Sequence, residues 1–261
     1  MKLDWKPVRR YLPHMMRILG ITAHPDDEAG VFGGSLLLYR SRGAETFVIC
    51  LTEGTAASNR GDAKSNEELA SIRKVEFANS CKILQVSESH ILHYPDGALY
   101  RADLYSVVGD LARRIRQIKP HIIITMGTEG AITGHLDHAM ASVFATMAFH
   151  WAARKDLYPE QLKDGLAPHR AQKLYYSTAS FIVPERPPVS PPPATATIDI
   201  SPFLDKKIEA FKQHTSQAPL FPLFEKAMRK FGSKELFHLT AANQPMIQKQ
   251  ETDLFEDIIF N

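Results

Sequence analysis

Residues 23 to 28 read Ala23-His24-Pro25-Asp26-Asp27-Glu28, between an apolar, strand-like run from Arg17 to Thr22 and a helix-like one from Ala29 to Arg42. Three acidic side chains beside one imidazole share a single turn only if a cation, a helix cap or a proton offsets their charge. A divalent metal is the simplest answer. Pro25 disfavours the helical region for His24, so the strand ends there and the next residues open a helix. His24 and Asp27 can then face one point above the strand end, while Asp26 is directed elsewhere. Zinc takes imidazole nitrogen at about 2.0–2.1 Å and carboxylate oxygen at similar range, and its catalytic sites usually keep three protein ligands. The competing reading is that Asp26, Asp27 and Glu28 cap the helix, which explains the acids but not the histidine.

A further ligand is available in Gly134-His135-Leu136-Asp137-His138. This stretch follows a second apolar run, His121 to Gly127, and opens the helix-like segment Ala139 to Trp151. The spacing puts His135 and His138 on neighbouring positions of one helical face, and both can reach one site. In an open α/β sheet the loops after the carboxyl ends of parallel strands meet in one crevice, so two clusters at equivalent strand-to-helix junctions converge there. A lone histidine in such a place is generally structural; a pair facing the first cluster has the signature of a metal site.

With these two motifs the chain resembles the LmbE-like (PIG-L) deacetylases, zinc enzymes that remove acetyl groups from N-acetylglucosamine-containing molecules. The resemblance takes in Leu51-Thr52-Glu53-Gly54, Arg73-Lys74-Val75-Glu76, Tyr94-Pro95-Asp96-Gly97 and His214-Thr215-Ser216-Gln217, and covers roughly residues 16 to 220. It implies that His24, Asp27 and His138 bind zinc, that Asp26 is the general base on the attacking water, and that a cationic His135 stabilises the oxyanion or protonates the leaving amine. Asp137, beside both histidines, would orient one of them. Arg73 either reaches the substrate, as its counterpart does in those enzymes, or pairs on the surface with Glu76. Asp96 sits in a turn sequence at the active-site edge, where a carboxylate could bind sugar hydroxyls. His214 matches its motif without an evident physical role.

The rest of the chain fits a metal hydrolase. Strands are expected at 17–22, 46–52, 89–93, 121–126 and 173–180 with helices between them, which makes a single-domain α/β fold, a Rossmann-like and mostly parallel sheet with helices on both faces. Ser65 and Glu68 have capping-box spacing for the second helix. Residues 1–15 read as an N-terminal extension and 16–261 as the LmbE-like domain. Within it, 183–194 form a stiff Pro-rich loop, either a connector or a wall of the active-site mouth, and 201–261 a helical C-terminal part with helices over 202–213 and 222–230. Hydrophobic residues make up 44% of the 261, and the formal charge of +2 with no concentrated basic patch outside residues 6–17 argues against a nucleic-acid partner. No apolar run of about 18 residues is available to span a membrane. The N-terminus lacks the apolar core of a signal peptide, and two cysteines, Cys50 and Cys81, make no disulfide framework. A cytoplasmic enzyme acting on a small amino-sugar substrate is the expectation, and nothing forbids a homo-oligomer. His14, His90, His93, His121, His150, His169 and His238 lack metal-type neighbours.

Two rival readings stand beside this one. The nearer keeps the chemistry and changes the substrate, to an amidase that cleaves thiol conjugates of an amino-sugar cofactor or a deacetylase of an antibiotic intermediate. The farther is a magnesium-binding phospho-receiver module, since an Asp-Asp pair after the first strand also describes that pocket; magnesium's preference for oxygen leaves the three imidazoles unexplained.

Overall fold

Arg17–Thr22 (β1) is buried at every position, as are Glu45–Thr52 (β2) and Ile122–Thr125 (β4), because each strand is covered on both faces. Successive residues of one strand serve opposite cores. Leu19, Ile21 and Ile123 join a cluster with the helices Leu104–Ile118 (α3) and Leu136–Trp151 (α4); Ile18, Ile122 and Ile124 join one with Asp27–Ser41 (α1), Asn66–Ile83 (α2) and Leu204–Phe211 (α6). This computed structural model describes residues 15–181, 188–247 and 249–260. The expected N-terminal extension, apart from Met15, and the first part of the Pro-rich loop lie outside those residues, as does His14.

Glu88–Tyr94 (β3) and Lys173–Thr178 (β5), the latter preceded by the short helix Pro159–Lys163 (α5), complete five parallel strands, and Ala196–Asp199 (β6) and Lys234–Ala242 (β7) extend the sheet to the order β3-β2-β1-β4-β5-β7-β6. β7 is antiparallel to both β5 and β6. The chain leaves β1 in one direction toward β2 and β3 and later in the other toward β4 and β5, so β1 and β4 flank the topological switch point where such sheets bind ligands. No helix among the described residues is long and apolar enough to cross a membrane.

The C-terminal part is not all helical. α6 and Phe221–Phe231 (α7) occupy the expected places, but β7 follows them. α1 is interrupted at Phe32 (φ −138°), and the Gly34 and Ser35 N–H groups donate to the buried Glu235 carboxylate of β7 at 2.9 and 2.7 Å. Lys207 of α6 neutralises Glu235 at 2.6 Å. β7 and α6 are thus joined to the helix that starts at the HPDDE turn, which is the physical reason not to treat them as a second domain. The Ser65 cap forms, with its hydroxyl accepting from Glu68 N at 3.1 Å, although Glu68 reaches back to the N–H of Lys64. Cys50 and Cys81 are buried and unbridged.

Candidate metal centre

The HPDDE turn begins two residues beyond β1, and its departure from ordinary geometry is at Asp26, whose φ is +119°. Two contacts hold that left-handed backbone. The Glu28 carboxylate accepts the Asp26 N–H at 2.9 Å, and Arg73 donates to the Pro25 carbonyl. Arg73 Nη2 also reaches the Asp26 carboxylate at 2.9 Å, and Nη1 reaches the Gly54 carbonyl at 2.9 Å. Gly54 (φ +69°) is required there, since a Cβ would lie 2.2 Å from Arg73 Nη1. Asp26 and Asp27 therefore diverge as expected, but Asp26's positive φ, rather than Pro25 alone, turns them apart.

Asp27 Oδ2 accepts the His24 backbone N–H at 2.8 Å, leaving Oδ1 3.2 Å from His138 Nε2. His138 lies in the first turn of α4, and its Nδ1 donates to the Gly130 carbonyl (3.3 Å) and faces the Thr133 hydroxyl (3.2 Å). His24 Nε2 lies 3.3 Å from Asp137 and 3.2 Å from Asp96. With these nitrogens protonated toward their partners, His24 Nδ1 and His138 Nε2 face each other with lone pairs at 3.2 Å. Two such lone pairs would repel, so a cation belongs between them: a proton on His24 in the chain alone, or a metal ion where one is bound. His24 Nδ1 and His138 Nε2 are 3.2 Å apart, Asp27 Oδ1 lies 3.2 Å from His138 Nε2 and Asp27 Oδ2 3.6 Å from His24 Nδ1, separations close to the roughly 3.3 Å between two ligands held tetrahedrally at about 2.0–2.1 Å.

The charges point the same way. Asp26, Asp27, Asp96 and Asp137 crowd around His24, with Arg73 as their neighbouring fixed cation. Burial works to lower the His24 pKa, yet Asp137, Asp27 and Asp96 hold it well above the ordinary value. In the chain alone a proton on His24 supplies the positive charge that a metal ion would supply. Burial pushes the Asp26 carboxyl up to about 6, with Arg73 opposing and Asp27 reinforcing the shift. Asp27, although buried, is held well below the carboxylate range by His138 and His24.

Several predicted residues stand differently from expectation. His135 is not on the helix but caps it, with extended backbone (φ −73°, ψ 129°) and its Nδ1 accepting the Asp137 N–H at 3.1 Å. Its exposed ring stands edge-on to His24, centroids 4.8 Å apart, with Nε2 as the protonated nitrogen. Burial, His24 and His138 lower its pKa, which works against the cationic form expected. Asp137 faces His24 instead of His135, and its carboxylate also takes the N–H groups of Gly97 (2.7 Å) and Leu99 (3.0 Å). Arg73 and Glu76 are buried and do not pair on the surface; Glu76 holds Thr215 and Ser216 instead. Neither Arg73, 3% exposed, nor Asp96, bonded to Thr52, Ala56 N and His24, presents a free group to a sugar.

His214 acquires a partner that sequence reasoning missed. It is wholly buried, and its Nε2 contacts Glu28 Oε1 at 2.7 Å, where Ser80 Oγ also donates at 2.5 Å. Glu28 thus links His214 to the Asp26 backbone. The histidine motif signalled a role, but nothing local named the partner.

A doubly wound α/β sheet with two imidazoles and a carboxylate converging at its switch point defines a metal-dependent type of enzyme site. The model of the PIG-L family, GlcNAc-PI de-N-acetylase, matches residues 19–149, half of the chain and all of this site, and the protein belongs to that family. It is 28% identical over 180 residues to the mycothiol S-conjugate amidase of Streptomyces coelicolor, covering 62% of this chain and 60% of the amidase. It is 27% identical over 248 residues to the 1D-myo-inositol 2-acetamido-2-deoxy-alpha-D-glucopyranoside deacetylase of Rhodococcus jostii, covering 79% and 83% respectively. The fold matches that of N,N'-diacetylchitobiose deacetylase from Pyrococcus horikoshii with a TM-score of 0.72 at 21% identity, over 86% of this chain and 83% of the other. Family membership removes the phospho-receiver reading, and the three imidazoles remove its magnesium chemistry.

Proposed function

We propose that the protein is a zinc-dependent deacetylase of N-acetylglucosamine-containing small molecules, such as the conjugates of low-molecular-weight thiol biosynthesis, with His24, Asp27 and His138 as metal ligands. The observation that carries this reading is the convergence of three ligand-type groups, His24 Nδ1 and His138 Nε2 3.2 Å apart and Asp27 Oδ1 3.2 Å from His138 Nε2. Bound there, zinc would polarise the amide carbonyl and make water acidic near neutral pH. The remaining work falls to the chain. Asp26, oriented through Oδ2 by Arg73, takes the proton of the attacking water and passes it to the leaving nitrogen. His135 Nε2–H donates to the carbonyl oxygen as negative charge develops on it. Asp137 and Asp96 hold His24 from behind, and Arg73 positions the base, so these three support the chemistry without touching the sugar. A cytoplasmic setting suits two buried free thiols.

The likeness to the amidase favours one second reading, cleavage of thiol conjugates of an amino-sugar cofactor. Zinc-loaded protein should be offered a panel of N-acetylglucosaminyl conjugates and thiol conjugates, with acetate and free amine measured together. Equal release of acetate and amine from a glucosaminyl conjugate is the expected result. Amine release from a thiol conjugate without acetate would establish the amidase instead, and no release from any member would overturn both.

A further inference from the structure

The stretch His214-Thr215-Ser216-Gln217, just beyond α6, supplies nothing to the metal centre, yet each of its side chains is engaged. Glu76 of α2 accepts the Thr215 hydroxyl at 2.7 Å, the Ser216 N–H at 2.6 Å and the Ser216 hydroxyl at 2.7 Å. Gln217 Nε2 donates to the Asn59 carbonyl at 2.9 Å, in the loop between β2 and α2. These contacts fix the turn, and the turn fixes His214.

His214 directs its hydrogen bonding to a single partner. Its buried Nε2 donates to Glu28 at 2.7 Å, while Nδ1 has no partner among the described residues. A buried ion pair is weak grounds for stability, since well-packed apolar side chains of similar volume often serve as well. Stability alone therefore does not explain the pair. Its geometry does. Glu28 Oε1 takes His214 and the Ser80 hydroxyl, at 2.5 Å, which leaves Oε2 aimed at the Asp26 N–H at 2.9 Å. Asp26 holds a φ of +119°, a conformation that persists in a residue other than glycine only where its surroundings over-determine it. Glu28 grips its N–H, the Gly30 N–H meets its carbonyl at 2.9 Å, and Arg73 holds its carboxylate.

Arg73, Glu76 and Ser80 are spaced three and then four positions apart, so they share one face of α2. That single face holds the Asp26 side chain, the turn carrying His214 and the Glu28 carboxylate between them. We infer that His214 is a positioning residue for the reaction: through Glu28 it fixes the backbone of Asp26, and with it the direction in which the base points. It acts from behind, touching neither the metal ligands nor the substrate. The inference rests on the reading of Asp26 as the general base.

The test compares zinc-loaded wild type, His214→Leu, which has bulk without a donor, and His214→Gln, whose amide N–H can stand where Nε2–H stands. Amine release is followed from methyl N-acetylglucosaminide and from the most rapidly cleaved conjugate of the panel above. His214→Leu should lose kcat by about tenfold or more with KM within about twofold and one zinc per chain, and His214→Gln should recover most of the rate. In an Asp26→Asn background the same His214→Leu change should cost less than about twofold, because two residues that act as a unit are not additive. A packing defect would lower the rate in both backgrounds alike. Ser80→Ala, a milder loss at the same Glu28 oxygen, should repeat the pattern and serves if His214→Leu does not fold. An unchanged kcat, an equal loss in the Asp26→Asn background, or a fall in rate that tracks zinc loss would overturn the inference. Wild type that releases no amine from any glucosaminyl conjugate would count against the deacetylase reading instead. The rates are then taken on the thiol conjugate it cleaves, and crystal structures of the zinc-loaded variants judge positioning without turnover. There the Asp26 carboxylate should leave its wild-type direction, and an Asp26 unmoved in both His214→Leu and Ser80→Ala would overturn the inference.

Discussion

Asp26→Asn is expected to keep its metal, bind substrate nearly normally and lose rate by a factor on the order of 10²–10⁴ that added zinc does not restore. The neighbouring substitution, Asp27→Asn, is expected to do the opposite: to weaken metal binding and lose activity that excess zinc partly recovers. The two carboxylates are adjacent in sequence, but Asp26 points to Arg73 at 2.9 Å and Asp27 to His138 at 3.2 Å. An account based on helix capping would treat them alike. Metal content and single-turnover rates on both variants decide the matter, and metal loss in Asp26→Asn with retention in Asp27→Asn would reverse the two roles.

Glu28→Ala is expected to cost about 3–5 kcal/mol of stability, because removing one partner of a buried ion pair leaves the other uncompensated. Here the loss falls on His214 and also leaves Ser80 and the Asp26 N–H without their acceptor. The pair has a definite pH dependence. Burial acts to lower the His214 pKa, but Glu28 outweighs it and holds the histidine above its ordinary 6.5. A raised pKa in the folded state means that the stabilisation is complete below about 6.5 and is lost as pH rises through the folded value. Denaturant unfolding of wild type and His214→Gln across pH 6 to 9 should show the difference between them shrinking as pH rises. A difference that stays constant or grows would mean that the histidine is buried neutral.

β1, β2 and β4 were legible because a strand covered on both faces is a largely apolar run, as in Ile122-Ile123-Ile124. β7 was not, because it begins Lys234-Glu235 and its buried acid reads as surface until the break in α1 at Phe32 provides N–H groups for it to cap. β6 is four residues long and follows a proline-rich stretch, too little for a periodic signal. At the site, the histidines and aspartates singled out by residue type and spacing lie together in the fold, since strand-to-helix junctions of a parallel sheet share one edge. The sequence could not show what lies behind them. Arg73 meets the Asp26 carboxylate 47 positions away through a left-handed residue, and His214 meets Glu28 from 186 positions away. Both are tertiary contacts with no local pattern. His135 as a cap with a lowered pKa likewise depends on the Asp137 N–H and on two neighbouring imidazoles, which spacing alone does not supply.

The most direct test of the centre formed by His24, Asp27 and His138 is a zinc titration of chelator-treated protein, following bound metal and amine release from the best glucosaminyl conjugate in the same samples. Activity should be absent from metal-free protein, rise in proportion to zinc and saturate at one ion per chain. Full activity without metal, or saturation of binding with no gain in rate, would contradict the assignment.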